Sequence, residues 1–170
     1  MSSPASRNRP LRKSEDMLIG ALLRVPAQAI HRRLIADLNA AGFDDVRLPH
    51  MAVLQFPGPD GARPTTLAER AGMSKQAMNQ LLGSLETLGY LKRADSTDEG
   101  RARVVRFTPR GRAAYAKIHE ILRSIEAEWS AELGARNFAQ LKELLLEVWQ
   151  SPLVRAKDGG TPARDRSGRR

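Results

Sequence analysis

Apolar residues recur at helical spacing along most of the chain, and glycine and proline divide this pattern into segments. Residues 15–41 predict a long first helix, with Ser14 as its N-cap and two acidic residues in its first turn. Pro26 is expected to kink or split that helix, and Gly42 is expected to end it. Residues 48–56 predict a short second helix that runs into a loop rich in proline and glycine.

The middle of the chain predicts two further helices followed by a hairpin. Gly72 permits a sharp turn between these helices, and Ser74 is expected to cap the second of them. Gly89 is expected to end that helix, and the charged loop 95–101 joins the two strands that follow. The four elements are predicted at residues 66–71, 74–88, 91–94 and 103–107.

The last third of the chain predicts two long helices. Thr108 is well placed to cap the first, with Pro109 at its first position, and the apolar repeat continues to Trp129. Gly134 separates this helix from a final one over residues 138–149. The predicted order is therefore ααααββαα, a mainly α fold in a chain of 170 residues, which is long enough for one sizeable core.

The net charge of +9 is unevenly distributed along the chain. Segments 1–13 and 155–170 each carry +4 and lack apolar periodicity, so they are interpreted as solvated disorder that can add non-specific phosphate attraction. Between them, residues 63–112 contain ten basic and five acidic residues, whereas segments 14–62 and 113–154 are mildly acidic. Positive charge concentrated on one module favours a polyanion as the partner.

The helix predicted over residues 74–88 has two chemically different faces. The apolar side chains expected to pack on the preceding helix are Ala77, Leu81, Leu82, Leu85 and Leu88. The opposite side, polar or small, carries Ser74, Lys75, Gln76, Asn79, Gln80, Gly83 and Ser84. Asn and Gln can bond adenine, Lys suits guanine or phosphate, and small residues let a helix sit deep in a major groove. Because no Asp or Glu interrupts residues 74–85, base readout is favoured over an ordinary solvated face.

The predicted hairpin is strongly basic, with Lys92, Arg93, Arg101, Arg103 and Arg106. An arginine at the tip of such a hairpin can enter a narrow minor groove, where the negative potential is enhanced. The alternative is an edge hairpin that its charges protect from aggregation. The position of the hairpin directly after two short helices favours the DNA contact.

This block of sequence resembles a known family. The stretch TTLAERAGMSKQAMNQLLGSLETLGYLKR, followed by an acid–Gly–Arg loop that runs into VVRFTPRG, resembles the MarR-type winged-helix transcriptional regulators over about residues 14–150. The resemblance implies a winged helix-turn-helix fold and an obligate homodimer formed by the N- and C-terminal helices. It also implies binding to pseudo-palindromic operators on double-stranded DNA, with release by a small, often aromatic, effector.

The resemblance also transfers roles to positions of this chain. Arg101 falls on the wing-tip arginine, which an acid two residues earlier braces in the family. Glu99 has that spacing here, Asp98 lies one residue farther away, and Arg103 is an alternative tip residue. The residues predicted to bind DNA are Thr65, Thr66, Ser74, Lys75, Gln76, Asn79, Gln80, Ser84, Arg93, Arg101 and Arg103.

The chain is accordingly divided into five segments. They are a disordered basic arm (1–13), an N-terminal dimerisation helix (14–47), the winged helix-turn-helix domain (48–108), C-terminal dimerisation helices (109–152) and a disordered basic tail (153–170). The predicted function is a ligand-responsive repressor that acts as a homodimer on its operator. The alternative is a winged helix that serves as a protein- or RNA-interaction module without sequence-specific DNA binding.

Other kinds of chemistry find little support in the sequence. There is no cysteine, the histidines His31, His50 and His119 lack ligand spacing, and no nucleotide-binding, hydrolase or zinc-protease motif is present. We therefore expect no enzyme activity, no metal and no cofactor. No apolar run approaches the roughly 20 residues that cross a bilayer, and the basic N-terminus leads into no apolar signal segment, which predicts a cytoplasmic protein.

Two groups of side chains are left with open roles. Trp129 and Trp149 are expected to pack in the core or the dimer interface rather than to stack on a ligand. The first two helices would border the effector pocket that the resemblance implies. Its polar candidates are Arg24, His31, Arg47 and His50, and their spacing does not select among them.

Overall fold

A computed structural model describes residues 17–55, 61–95 and 103–155 of the chain. The helices are α1 (Ile19–Ala40), α2 (Met51–Leu54), α3 (Pro64–Arg70), α4 (Lys75–Thr87), α5 (Pro109–Leu133), α6 (Ala135–Gln150) and α7 (Pro152–Arg155). A 3-10 turn at Leu48–His50, called the 48–50 turn below, leads directly into α2. Strands β1 (Leu91–Asp95) and β2 (Arg103–Phe107) form one antiparallel sheet. The predicted mainly α fold and its order of elements are confirmed, and α7 extends helical structure into the segment predicted as a disordered tail.

The first helix begins later than predicted. It starts at Ile19 rather than at residue 15, and Leu18 precedes it without a side-chain cap. The predicted N-cap, Ser14, lies outside the described residues. A kink or a split is predicted at Pro26, and the helix runs through Pro26 without a split. A proline removes one backbone hydrogen bond, and the bonds on both sides still hold the helix together.

The hydrophobic core is one cluster that includes residues of α1, α4 and α5. Leu34 and Leu38 of α1 are fully buried, as is Ile118 of α5. In α4 the buried residues are Met78, Leu82 and Leu85. The predicted apolar side of α4 did not include Met78. It was centred about one residue away from the side that the structure buries. The remaining members of the predicted stripe are only partly buried: Ala77, Leu81 and Leu88.

The sheet is the two-stranded hairpin that the sequence predicts. Its register runs from Leu91 opposite Phe107 to Asp95 opposite Arg103. A short segment before α3 adds to the outer side of β2, because Val105 exchanges backbone hydrogen bonds with Gly61 and Ala62. These bonds hold β2 against the segment that leads into α3.

A close approach joins the base of the hairpin to α5. The Thr108 hydroxyl oxygen accepts a 3.0 Å hydrogen bond from the Gly111 N–H, which confirms the predicted cap, and the hydroxyl donates to the Gly89 carbonyl at 2.6 Å. A Cβ atom at Gly111 would lie 1.9 Å from the Tyr90 carbonyl oxygen and 2.9 Å from the Phe107 ring. Glycine is therefore required where α5 crosses the end of the sheet.

The terminal helices leave apolar surface uncovered within one chain. No residue of α6 is buried, and Trp149 is 60% exposed, whereas Trp129 of α5 is partly buried against the core. The exposed apolar residues of α6 are Leu141, Leu144, Leu145, Leu146, Val148 and Trp149. At the start of α1 they are Ile19, Leu22, Leu23 and Val25. Among the described residues, no helix is long and apolar enough to cross a membrane.

Candidate nucleic-acid interface

The turn between α3 and α4 is built as the sequence predicts. Gly72 has a φ of +62°, a left-handed conformation that glycine adopts without strain. The Ser74 side chain accepts a 3.1 Å hydrogen bond from the Ala77 N–H, so it caps α4. Capping satisfies one of the backbone N–H groups that the first turn of a helix leaves unpaired. The start of α4 is thereby fixed relative to α3.

One side of α4 is polar and faces solvent. The exposed residues of this side, called the α4 polar face below, are Lys75, Gln76, Asn79, Gln80 and Ser84. Together with the capping Ser74, which is also exposed, they include every α4 residue that the sequence predicts to bind DNA. No acidic residue lies among them, and the first acid of the helix is Glu86. The surface therefore offers amide, hydroxyl and ammonium groups to an approaching polyanion.

Two side chains of the α4 polar face already have protein partners. The Asn79 amide donates a 3.0 Å hydrogen bond to the Lys75 carbonyl of its own helix. The Ser84 hydroxyl lies 3.1 Å from the Nε2 atom of His50. Gln76 and Gln80 are exposed, one turn apart on the same side of the helix.

The remaining predicted contacts lie on α3 and on the hairpin. Thr65 is exposed and Thr66 is partly buried in the first turn of α3, which begins at Pro64, two residues earlier than predicted. The Arg93 guanidinium forms an ion pair with Glu86 at 3.0 Å, so it is turned back toward α4. The backbone of Arg103 belongs to β2. Its side chain and the loop residues Asp98, Glu99 and Arg101 lie outside the described part of the chain, so the wing-tip assignment stays a prediction.

His50 holds the 48–50 turn in place. Its side chain is only 7% exposed, and its Nδ1 atom accepts a 3.1 Å hydrogen bond from the backbone N–H of Arg47. Burial lowers the pKa of His50, and the nearby charge of Arg47 lowers it further, against a smaller opposing effect of Asp45. The imidazole is therefore neutral near pH 7.

A polar cluster that the sequence analysis missed ties the segment between α1 and the 48–50 turn to the residue before β1 and to α5. The Tyr90 hydroxyl donates to the Asp45 carboxylate, and the Arg110 guanidinium donates to the same carboxylate at 2.7 Å. Arg110 also lies over the Tyr90 ring, 4.8 Å from its centroid. Burial and the bond to Asp45 raise the pKa of Tyr90 to about 12. These residues are far apart in the sequence, and no local pattern signals their contact.

An open groove of about 710 Å³ runs along the exposed side of α1. We call it the α1 groove; its lining residues are Gln28, His31, Arg32, Ile35, Ala36, Asn39 and Leu48. Of the predicted polar candidates, His31 lines it. His50 is turned toward Ser84, the Arg47 side chain binds backbone carbonyls, and Arg24 bonds Gln28 one turn earlier in α1. Within the described residues, no group of His, Asp or Glu side chains could hold a metal ion.

Comparisons with known proteins agree with this geometry. Residues 50–102 match the model of the MarR family. The HTH-type transcriptional repressor Rv2887 of Mycobacterium tuberculosis is 30% identical over 136 residues, which cover 78% of this chain and 94% of the relative.

Solved structures share the fold. The Rv2887 protein in complex with salicylic acid superimposes with a TM-score of 0.58 at 28% identity, covering 79% of this chain and 98% of that one. The repressor CouR, solved on a 23-mer DNA duplex, has a TM-score of 0.65 at 20% identity, covering 84% and 100%. With a relative of this identity matched over nearly its whole length, the chain belongs to the MarR family and is a DNA-binding transcriptional regulator.

Proposed function

We propose that the protein is a homodimeric repressor that recognises a pseudo-palindromic operator through α4. The observation that carries this proposal is the α4 polar face, which is exposed and free of acids while the other side of the same helix is buried. In a dimer, two copies of α4 would enter successive major grooves about 34–36 Å apart. Gln76 and Gln80 suit adenine, and Lys75 suits guanine or a phosphate.

Dimerisation through α1 and α6 is part of the proposal. The exposed leucines of α6 and the apolar start of α1 are more exposed apolar surface than a soluble monomer usually leaves in water. A second copy offers the same apolar residues, so a two-fold interface would cover both sets at once. We propose that this dimer acts in the cytoplasm, where its DNA partner is accessible, and that it has no catalytic activity.

The effector response is a further part of the proposal. His31 and Arg32 lie beside the apolar residues Ile35 and Leu48 in the α1 groove. The Arg32 guanidinium beside apolar groups suits an aromatic carboxylate, and Rv2887 was solved with salicylic acid. The dimer binds the operator only when its two α4 helices have the separation of the major grooves. An effector that binds better to a dimer with another separation would make that form the more populated one and release the operator.

The proposal is tested with the full chain and the DNA upstream of its own coding sequence. Fluorescence anisotropy measures affinity for that fragment against a random duplex of equal length, and light scattering on a size-exclusion column measures the mass. We expect a dimer that prefers the upstream fragment and that salicylate releases from it. A monomer without DNA preference would instead support a protein- or RNA-interaction module. A dimer that prefers the fragment but ignores salicylate would overturn only the effector assignment.

A further inference from the structure

The recognition helix α4 is linked by a side-chain hydrogen bond to a different part of the chain. His50 of the 48–50 turn lies 34 residues before Ser84, and its Nε2 atom is 3.1 Å from the Ser84 hydroxyl oxygen. The two groups differ sharply in exposure, since His50 is almost fully buried whereas Ser84 is exposed on α4. From the sequence, Ser84 is a predicted DNA contact, and its bond to a buried histidine offers a different role.

The direction of this hydrogen bond follows from the other side of the ring. The Arg47 N–H donates to Nδ1, so Nδ1 carries no proton in the neutral imidazole. The proton therefore lies on Nε2, which donates to the Ser84 hydroxyl oxygen. The bond to the Arg47 N–H sets the orientation of the ring. The Ser84 hydroxyl therefore accepts a hydrogen bond from an N–H group whose position is fixed.

The same turn also contributes to the α1 groove. Leu48 lines that groove, and His50, two residues later, contacts Ser84 of α4. A displacement of the turn would therefore change both the wall of the groove and the support of α4. This connection passes through one short segment rather than through the whole core.

We propose that His50 is a positioning residue for DNA recognition, which holds α4 in its binding orientation through the hydroxyl of Ser84. The proposal rests on the proposed function of α4 as the helix that contacts the operator. Ser84 then supports operator binding by accepting a hydrogen bond from His50, and it does not bond to a base.

The variants that test this proposal separate the two bonds of the imidazole. His50→Asn keeps an acceptor near the position of Nδ1, so the 48–50 turn retains its bond to the Arg47 N–H, while the contact with Ser84 is lost. Ser84→Ala removes the same contact from the other side, and Ser84→Thr retains the hydroxyl. Thr87→Val is the matched control, because the Thr87 hydroxyl donates to the Gly83 carbonyl of its own helix.

Operator and random-duplex affinities of these variants are measured by anisotropy, with thermal melting as a check on folding. We expect His50→Asn and Ser84→Ala each to weaken operator binding roughly three- to tenfold, the size of one lost hydrogen bond. Binding to the random duplex stays unchanged, and the double variant is no weaker than either single one. Ser84→Thr loses less affinity than Ser84→Ala because it keeps the hydroxyl, and Thr87→Val keeps the original affinity.

Two results would overturn the proposal. One is that Ser84→Ala weakens operator binding as much in the His50→Asn variant as it does in the original protein, which would mean that the serine contacts DNA directly. The other is unchanged operator affinity in His50→Asn. The failure of the proposed function is recognised separately, since the original protein would then show no preference for the operator over the random duplex.

Discussion

Helices α4 and α6 are both amphipathic, yet they differ in where their apolar residues lie. In α4 the apolar side is covered within the same chain, by contacts with α3 and the core, and the solvent side is polar. In α6 no residue is buried, and leucines together with Trp149 face solvent. The same sequence periodicity thus gives a helix whose apolar side is buried in one case and a helix whose apolar side is exposed in the other.

The difference separates two functions within one short chain. A helix whose apolar side is already buried can present its polar side to DNA without changing the fold. A helix whose apolar side is exposed is stabilised when another chain covers that side, by about 25 cal/mol per Å² of apolar surface buried. We therefore expect substitutions on α6 to act through assembly and substitutions on α4 to act through DNA.

The largest expected effect comes from a charge on the uncovered side of α6. Leu146 is 59% exposed, and Leu146→Glu would place a carboxylate in the proposed dimer interface. Dimerisation should weaken by at least about a hundredfold, or roughly 3 kcal/mol, with loss of operator binding at nanomolar protein. Light scattering and anisotropy measure both changes. Gln140→Glu, an equal charge at a polar position of the same helix, is the control. A Leu146→Glu protein that remains dimeric would place the interface elsewhere.

Gly111→Ala tests the junction that joins α5 to the DNA-binding half. The new methyl group would overlap the Tyr90 carbonyl oxygen, so the hairpin base or α5 must move. The free energy of unfolding should fall by roughly 1–3 kcal/mol or more, measured by urea denaturation. Unchanged stability would show that the junction is looser than the geometry implies.

Gly83→Ala sharpens the distinction between folding and DNA binding within α4. A Cβ atom there meets nothing within 4 Å, and alanine favours the helix, so the free energy of unfolding should rise by about 1 kcal/mol. Operator affinity should fall severalfold, because the added methyl group keeps α4 from approaching the groove floor. Gly20→Ala in α1, also without a neighbour within 4 Å, is the control for stability and should stabilise the fold in the same way. Unchanged operator affinity in Gly83→Ala would contradict a close approach at Gly83.

The smallest expected effect is a pH dependence that passes through His50. Its pKa is lowered in the folded protein by burial and by the charge of Arg47, only partly opposed by Asp45. The unfolded chain therefore binds a proton more readily, and the stability that neutral His50 contributes is complete above about pH 6.5. It is lost as the pH falls from there through the lowered pKa. Urea denaturation at several pH values should show this loss in the original protein and a smaller one in His50→Asn. An identical pH profile for the two proteins would show that His50 does not cause the pH dependence of stability.

The local features of the fold could be predicted from the sequence, and the long-range contacts could not. Periodicity predicted α4 and the hairpin, and short-range chemistry predicted the caps at Ser74 and Thr108. The bond between His50 and Ser84 and the cluster around Tyr90 join residues 20 to 65 positions apart, which no local pattern encodes. The sequence also placed the start of α1 too early: the helix begins at Ile19, and the exact ends of helices are the features that local patterns define least well.

The central claim is that the α4 polar face recognises bases, and Gln76→Ala tests it most directly. Gln76 is exposed on that face, and its amide suits a bidentate contact to adenine. Affinities are measured by anisotropy for an operator selected from random DNA and for an unselected duplex, at one salt concentration. We predict a loss of roughly 1–3 kcal/mol on the operator, with the unselected duplex unchanged. An equal loss on both duplexes, or no loss on the operator, would contradict base recognition by this face.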